Sequence, residues 1–242
     1  MSLLRVDRIG KSFSGLQALH EVSFQVGEGE VVGLMGANGA GKTTLFSLIA
    51  GNQRPTSGTI SFADQIISGL RPHRICRLGV ARTFQIVRPF AGLSVRENVE
   101  IAVLYGADTQ DRGSPVSDRA QTVLERVGLG RVAEQLAGTL TLSNRKRLEV
   151  ARALGTAPRL LLLDEVMAGL TPTEVREMLV TLESVKQEFN LTLVVVEHVI
   201  KALTTLSERL VVLHHGELIA EGTPEDIAQH QAVQEAYFGR SY

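Results

Sequence analysis

Three apolar runs stand out along the chain, each closed by chemically distinctive residues. Residues 31–35 (Val-Val-Gly-Leu-Met), 160–163 (Leu-Leu-Leu-Leu) and 192–196 have the length and continuity of strands buried on both faces. A second group is shorter or alternates: residues 3–9, 22–26 and 59–62 read as strands of a small antiparallel sheet, with turns at 27–29 and 63–65. Residues 79–84, 209–213 and 218–220 read as further strands, the last two joined by a hairpin turn at His214-His215-Gly216.

Between the strands the apolar spacing turns helical. Leu45, Phe46, Leu48 and Ile49 give one helical face, ending near Gly51. From Ser94 onward, Val95, Val99, Ala102 and Val103 give another, and Val123, Leu124 and Val127 a third that stops at Gly128. Leu148, Val150, Ala151 and Leu154 mark a helix that starts near Thr141. Residues 107–117 are polar and read as a surface loop. Pro224 opens a last helix, with Ala236-Tyr237-Phe238 packing back on the domain. This alternation predicts an α/β fold with a small antiparallel β-subdomain and a helical section inserted between strands.

The residue that closes each apolar run carries the candidate chemistry. Residues 36–43 fit G-x-x-x-x-G-K-[ST] without a mismatch, between a strand and a helix. The glycines Gly36, Gly39 and Gly41 let the backbone wrap a phosphate, and Ala37, Asn38, Ala40 and Thr44 complete the loop. Lys42 can reach the β- and γ-phosphates and Thr43 can offer a hydroxyl to Mg²⁺. The run at 160–163 delivers Asp164 and Glu165 to the strand end where ligands bind in open α/β sheets. Asp164 suits support of Mg²⁺, and Glu165 suits polarising an attacking water. The third run ends at Glu197-His198; His198 can contact a γ-phosphate and the attacking water, with a structural histidine as the competing reading.

Other candidates are weaker on residue pattern alone. Gln85, at a strand end, can place an amide oxygen near a metal. Phe13, in a loop before the glycine-rich strand, can stack on a purine or cover the small sheet. Arg145-Lys146-Arg147 oppose the dipole of the helix they open, which suits an anion, an acidic partner or a solvated face. His214-His215 is a poor metal site, because adjacent strand residues point to opposite faces.

Composition narrows the setting. The formal net charge of −1 over 242 residues gives no electrostatic reason to expect nucleic acid. The single cysteine, Cys76, excludes a disulfide framework and fits a reducing compartment. Arg5, Asp7 and Arg8 do not resemble a signal peptide, and no uncharged apolar run nears a membrane span. Action at a membrane would need a partner that crosses it.

The order of these motifs resembles the ATP-binding subunit of ABC transporters over nearly the whole chain. Residues 81–85, 147–154 and 213–217 look most like branched-chain (hydrophobic) amino acid importers, and closer to their G-type than their F-type ATPase. The resemblance implies a P-loop NTPase fold of the ABC nucleotide-binding type: one domain over 1–242 with a helical subdomain at about 86–158. It implies ATP and Mg²⁺ as ligands, adenine stacking by Phe13 and metal binding by Thr43, Gln85 and Asp164. Glu165 is then the catalytic base and His198 the switch histidine. It also implies transmembrane permease subunits, a second ATP-binding subunit (identical or different), and indirectly a periplasmic binding protein. The chain would then sit peripherally at the cytoplasmic face of the inner membrane. Urea or amide uptake and lipopolysaccharide export share this chemistry; a soluble ABC ATPase would usually carry two cassettes or a long insert, and neither is visible.

Two positions depart from the family pattern. Counted back without gaps from Arg147, the signature loop that faces the partner's nucleotide reads Leu140-Thr141-Leu142-Ser143-Asn144 instead of L-S-G-G-Q or L-S-Y-G-Q. A second alignment puts Leu142-Ser143 on the usual L-S but needs a two-residue deletion. After Glu165, Thr171 stands where Asp or Asn is usual.

Overall fold

The computed structural model describes residues 2–84, 89–107 and 114–238. In chain order the elements are β1 (Ser2–Phe13), β2 (Leu16–Gly27), β3 (Val31–Met35), α1 (Lys42–Ile49), β4 (Ser57–Phe62), β5 (Gln65–Ile66), α2 (Pro72–Arg77), β6 (Val80–Arg82), α3 (Val95–Tyr105), α4 (Val116–Arg126), α5 (Leu142–Gly155), β7 (Leu160–Asp164), α6 (Pro172–Glu188), β8 (Thr192–Val196), α7 (Ile200–Leu206), β9 (Arg209–His214), β10 (Glu217–Gly222), α8 (Pro224–Gln229) and α9 (Gln231–Phe238). They form two compact units, one of Met1–Pro72 with Thr192–Tyr242 and one of His73–Leu191.

The first unit holds two sets of strands. β2, β1, β4 and β5 form an antiparallel sheet in that order. β3 runs parallel to β8 on one side and to β9 on the other, with β10 antiparallel on β9. β8 is buried throughout and β3 at all but its last residue, which is why both read as continuous apolar runs. Because β3 and β8 are parallel neighbours, the glycine-rich loop after Met35 and His198 after Val196 leave the same edge.

In the second unit β6 and β7 pair in parallel, Val80 to Arg82 opposite Leu160 to Leu162. β7 is buried at every position. Between β6 and β7 the described residues are helical or irregular: α3, α4 and α5 pack on one another, and two single 3₁₀ turns precede α5. α3 starts at a capping box, Ser94 with Glu97.

Several elements differ from the sequence reading. β1 and β2 form a longer hairpin than 3–9 and 22–26, closed by Ser14 and Gly15 at φ 45° and 93°. Phe13 is therefore the last residue of a strand and not a loop residue. β6 stops at Arg82: the Thr83 N–H still reaches the Leu162 carbonyl of β7 at 2.9 Å, but the Phe84 N–H turns to a glutamate on α5. Val116 and Ser117, read as loop, open α4, and residues 108–113 of that loop lie outside the described residues. The last helix is two, broken at His230, whose backbone is extended.

Candidate functional site

The glycine-rich loop is built to hold an anion. α1 begins at Lys42 behind Gly41, which has no side chain to cap the first turn, and no acidic residue lies in that turn. Gly41 sits at φ 104°, and a Cβ there would lie 2.6 Å from Leu19 Cδ2 and 2.8 Å from the Ala18 carbonyl oxygen. Lys42 is buried, and its ammonium donates to the carbonyls of Gly36 at 2.6 Å and Ala37 at 3.0 Å. The point charge thus lies over the glycine-rich loop itself. Ala37, Asn38, Gly39 and Thr43 are exposed and Ala40 is buried. At the loop's root the Gly36 backbone faces the Tyr237 hydroxyl of α9; burial pushes that phenol up, and the Gly36 contact opposes it.

His198 is exposed, two residues beyond β8. Phe13 is 39% exposed at the hairpin tip, with the Lys11 ammonium 4.8 Å from its ring centroid.

In the second unit β7 ends in two buried acids. Asp164 Oδ2 accepts from Arg82 at 2.8 Å, and Thr83 Oγ1 accepts from the Asp164 N–H at 2.9 Å. Breaking a buried pair such as Arg82–Asp164 costs about 3–5 kcal/mol, so β6 and β7 are locked at this end. Glu165 follows at φ 52°, a left-handed conformation that costs an L-residue about 1–2 kcal/mol. Its side chain is largely buried, and its carbonyl accepts from Lys146.

Gln85 lies outside the described residues, but both flanks of its segment are held. The Phe84 N–H donates to Glu149 Oε1 of α5. The Phe90 N–H donates to Asn98 Oδ1 at 2.9 Å, and Asn98 Nδ2 returns to the Phe90 carbonyl at 3.1 Å. Arg152 lies 4.9 Å from the Phe90 ring centroid. Glu149 is buried, and burial pushes its carboxyl above the usual range against the pull of Phe84's N–H, Lys146 and Arg152; nearby Asp164 pushes the same way as burial.

Thr141 is the N-cap of α5, accepting from the Asn144 N–H at 3.3 Å. Leu142 is half exposed and leans over Gly169, where a Cβ would come within 3.2 Å of Leu142 Cδ2. Ser143 is buried. Thr171 caps α6 and forms a capping box with Glu174. Asp and Asn do the same job at a helix start, so this departure leaves the local structure intact.

Sequence reasoning missed Arg82, Glu149 and Asn98. The available signal was a polar residue where the helical period calls for an apolar one: Asn98 beside Val95 and Val99, Glu149 between Leu148 and Val150. The solvated-face reading of residues 145–147 does not survive. Arg145 donates to the carbonyls of Leu140 and Gly138, and Arg147 to the Val127 carbonyl, Thr181 and Glu177.

Comparison with known proteins gives a consistent picture. A family model described as "ABC transporter" matches residues 19–168, and one described as "Branched-chain amino acid ATP-binding cassette transporter" matches residues 217–242. The chain is 38% identical to the high-affinity branched-chain amino acid transport ATP-binding protein LivG of Salmonella typhimurium, over 99% of this chain and 98% of that one. It is 37% identical to BraF of Pseudomonas aeruginosa, with the same coverage, and 33% identical to the lipopolysaccharide export ATP-binding protein LptB of Escherichia coli over 100% and 99%. A crystal structure of a nucleotide-free ATP-binding cassette from an ABC transporter superposes with a TM-score of 0.89 at 28% identity, covering 99% of this chain and 100% of that one. The chain belongs to the ABC transporter family and is one of its ATP-hydrolysing, ATP-binding proteins.

Proposed function

We propose that this chain is the ATP-hydrolysing subunit of an importer for branched-chain or other hydrophobic amino acids. Transmembrane permease subunits hold it at the cytoplasmic face of the inner membrane, it pairs with a second ATP-binding subunit, and a periplasmic binding protein delivers the cargo to the permeases. The observation that carries this reading is the branched-chain-specific match at 217–242, on a chain that aligns end to end with LivG and BraF. Among the described residues no helix is long and apolar enough to cross a membrane, so the permeases must supply the path. Lipopolysaccharide export is the second reading, supported by the LptB likeness.

The residues divide the work. The loop from Gly36 to Thr44 binds the phosphates through backbone N–H groups, and Lys42 adds a positive charge. Phe13 stacks on the adenine. Among the described residues no cluster of three or more His, Cys, Asp or Glu could cage a metal. Mg²⁺ needs no such cluster, since it binds through few protein oxygens plus substrate phosphates. Thr43, Gln85 and Asp164 would hold it, and when bound it neutralises phosphate charge. Glu165 takes the proton from the attacking water, and His198 orients that water against the γ-phosphate.

The loop of Thr141, Leu142, Ser143 and Asn144 faces the nucleotide of the partner subunit. Its hydroxyl and N–H groups remain, but the glycines' freedom is lost. A misplaced donor of this kind costs about 10²–10³ in rate. The loop therefore serves the slower site of a heterodimer, and the chain alone is a weak, mostly monomeric ATPase.

Reconstitution with its permeases and binding protein in proteoliposomes tests the function. Leucine, isoleucine or valine should stimulate ATP hydrolysis and be taken up, and Lys42→Ala should abolish ATP binding and uptake. Stimulation by lipopolysaccharide and not by these amino acids would overturn the import reading.

A further inference from the structure

Three cations open α5, and their charge opposes the helix dipole there. Arg145 and Arg147 are tied to nearby carbonyls and polar side chains of their own unit. Lys146 is placed differently. It is only 4% exposed, and its ammonium donates to the backbone carbonyl of Glu165 at 2.8 Å; that carbonyl also accepts from the Ala168 N–H at 3.2 Å, a longer bond within the same turn.

Glu165 is the residue that leaves β7 with φ 52°. An L-residue stays in that region only when its surroundings over-determine it. The direction of a carbonyl follows the ψ of its own residue. A donor fixed on the Glu165 oxygen therefore restrains ψ, and with φ it sets where the Glu165 side chain leaves the backbone. A lysine is a demanding choice for a buried structural donor, because its charge must be compensated. Here Glu149 lies one turn along the same helix, and the Lys146 charge favours its ionised form against burial.

We propose that Lys146 is a positioning residue for Glu165: it holds the left-handed turn that aims the catalytic base, and so fixes the base to the helix whose N-cap is Thr141. The proposal rests on the reading of Glu165 as the base. Movement of the loop at Thr141 would then shift the aim of the base with it, through the Lys146–Glu165 hydrogen bond.

The test uses the full chain, assembled with its permeases, in four forms: Lys146→Met, Lys146→Gln, Glu165→Gln and Lys146→Met with Glu165→Gln. Steady-state hydrolysis, ATP titration and melting temperature are measured for each. Lys146→Met keeps length and loses the donor. Its kcat should fall roughly 10- to 100-fold, the range expected when a reacting group is slightly misplaced. KM and ATP affinity should stay within about twofold. Lys146→Gln, with a shorter donor, should fall between this variant and wild type. On the Glu165→Gln background, Lys146→Met should cause no further loss. A wild-type kcat for Lys146→Met, or a loss that multiplies undiminished on the Glu165→Gln background, overturns the proposal, because a purely structural lysine behaves in the second way. Should Lys146→Met fail to fold, Lys146→Gln carries the test alone: reduced kcat at unchanged ATP affinity supports the proposal, and unchanged kcat overturns it. Near wild-type turnover by Glu165→Gln alone removes the base assignment and the proposal with it, whereas slow Glu165→Gln with normal Lys146→Met removes only the proposal.

Discussion

Two glycines of the phosphate loop, replaced one at a time by alanine, separate backbone strain from steric overlap. Gly39 and Gly41 both have positive φ, 82° and 104°. Alanine pays about 1–2 kcal/mol to hold such a conformation at either site. Around Gly39 a Cβ would meet nothing within 4 Å, so strain is the whole cost. At Gly41 the Cβ would meet the Ala18 carbonyl oxygen at 2.8 Å, a backbone atom that cannot swing away, as well as Leu19 Cδ2. Overpacking of this kind adds about 1–3 kcal/mol. Gly41→Ala should therefore cost about 2–5 kcal/mol in all, against about 1–2 for Gly39→Ala.

The cost appears in one of two observables. If the loop keeps its shape, the melting temperature falls by about 2–4 °C per kcal/mol for a chain of this size. If the loop relaxes, ATP affinity falls instead, about tenfold per 1.4 kcal/mol. Differential scanning with and without Mg·ATP, together with ATP titration, captures both. Gly39→Asn should be milder than Gly39→Ala, because asparagine tolerates the left-handed region. Equal losses for Gly39→Ala and Gly41→Ala would refute the overlap argument, and wild-type behaviour of Gly41→Ala would refute the loop geometry itself.

Two further outcomes are expected. Glu149 has its carboxyl pushed up by burial, so the folded chain holds its proton to higher pH than the unfolded chain does. Its stabilising contribution is complete below the unfolded pKa and is lost as pH rises through the folded value. Glu149→Gln should thus gain melting temperature relative to wild type as pH rises from 4 to 8, and a constant difference across that window would contradict the buried placement. Leu142→Gly with Ser143→Gly should tighten ATP-dependent dimerisation and raise turnover, read by light scattering and phosphate release; no change in either assay would mean that the atypical loop has no catalytic consequence.

What could be read from the sequence was local. The loop at 36–43 announces itself because strand, turn chemistry and helix start are contiguous. β7 and β8 are legible because strands buried on both faces contain little but Leu and Val. The outer half of the β1–β2 hairpin was not legible. Residues 11–17 are mostly exposed, so no alternation marks them; ladder bonds, the Ser14-Gly15 turn and hydrogen bonds from Lys11 to the Arg54 carbonyl and from the Ser12 N–H to Thr56 hold them. α6 carried a readable start, Thr171, Pro172 and Glu174, but buries only Met178, Leu182 and Val185 along its length, and its sparse apolar stripe hid it.

The contacts that shape the second unit's site leave no local trace. Arg82 meets Asp164 across 82 residues, Glu149 meets Phe84 across 65, and Lys146 meets Glu165 across 19. No periodicity within a window of one helix encodes such pairs. What the sequence does hold is their cost. Lys146, Glu149 and Arg152 recur every three residues along a helix that otherwise buries Leu148, Val150, Ala151 and Leu154. Hydrophobic residues of similar volume would often serve stability as well or better than buried charges. A charged stripe that stability alone does not require, yet that holds the Glu165 carbonyl at one end and both flanks of Gln85's segment further along, is accounted for by the geometry it imposes. In this unit the buried polar residues inside apolar patterns, more than the motif residues themselves, mark how the motifs are aimed.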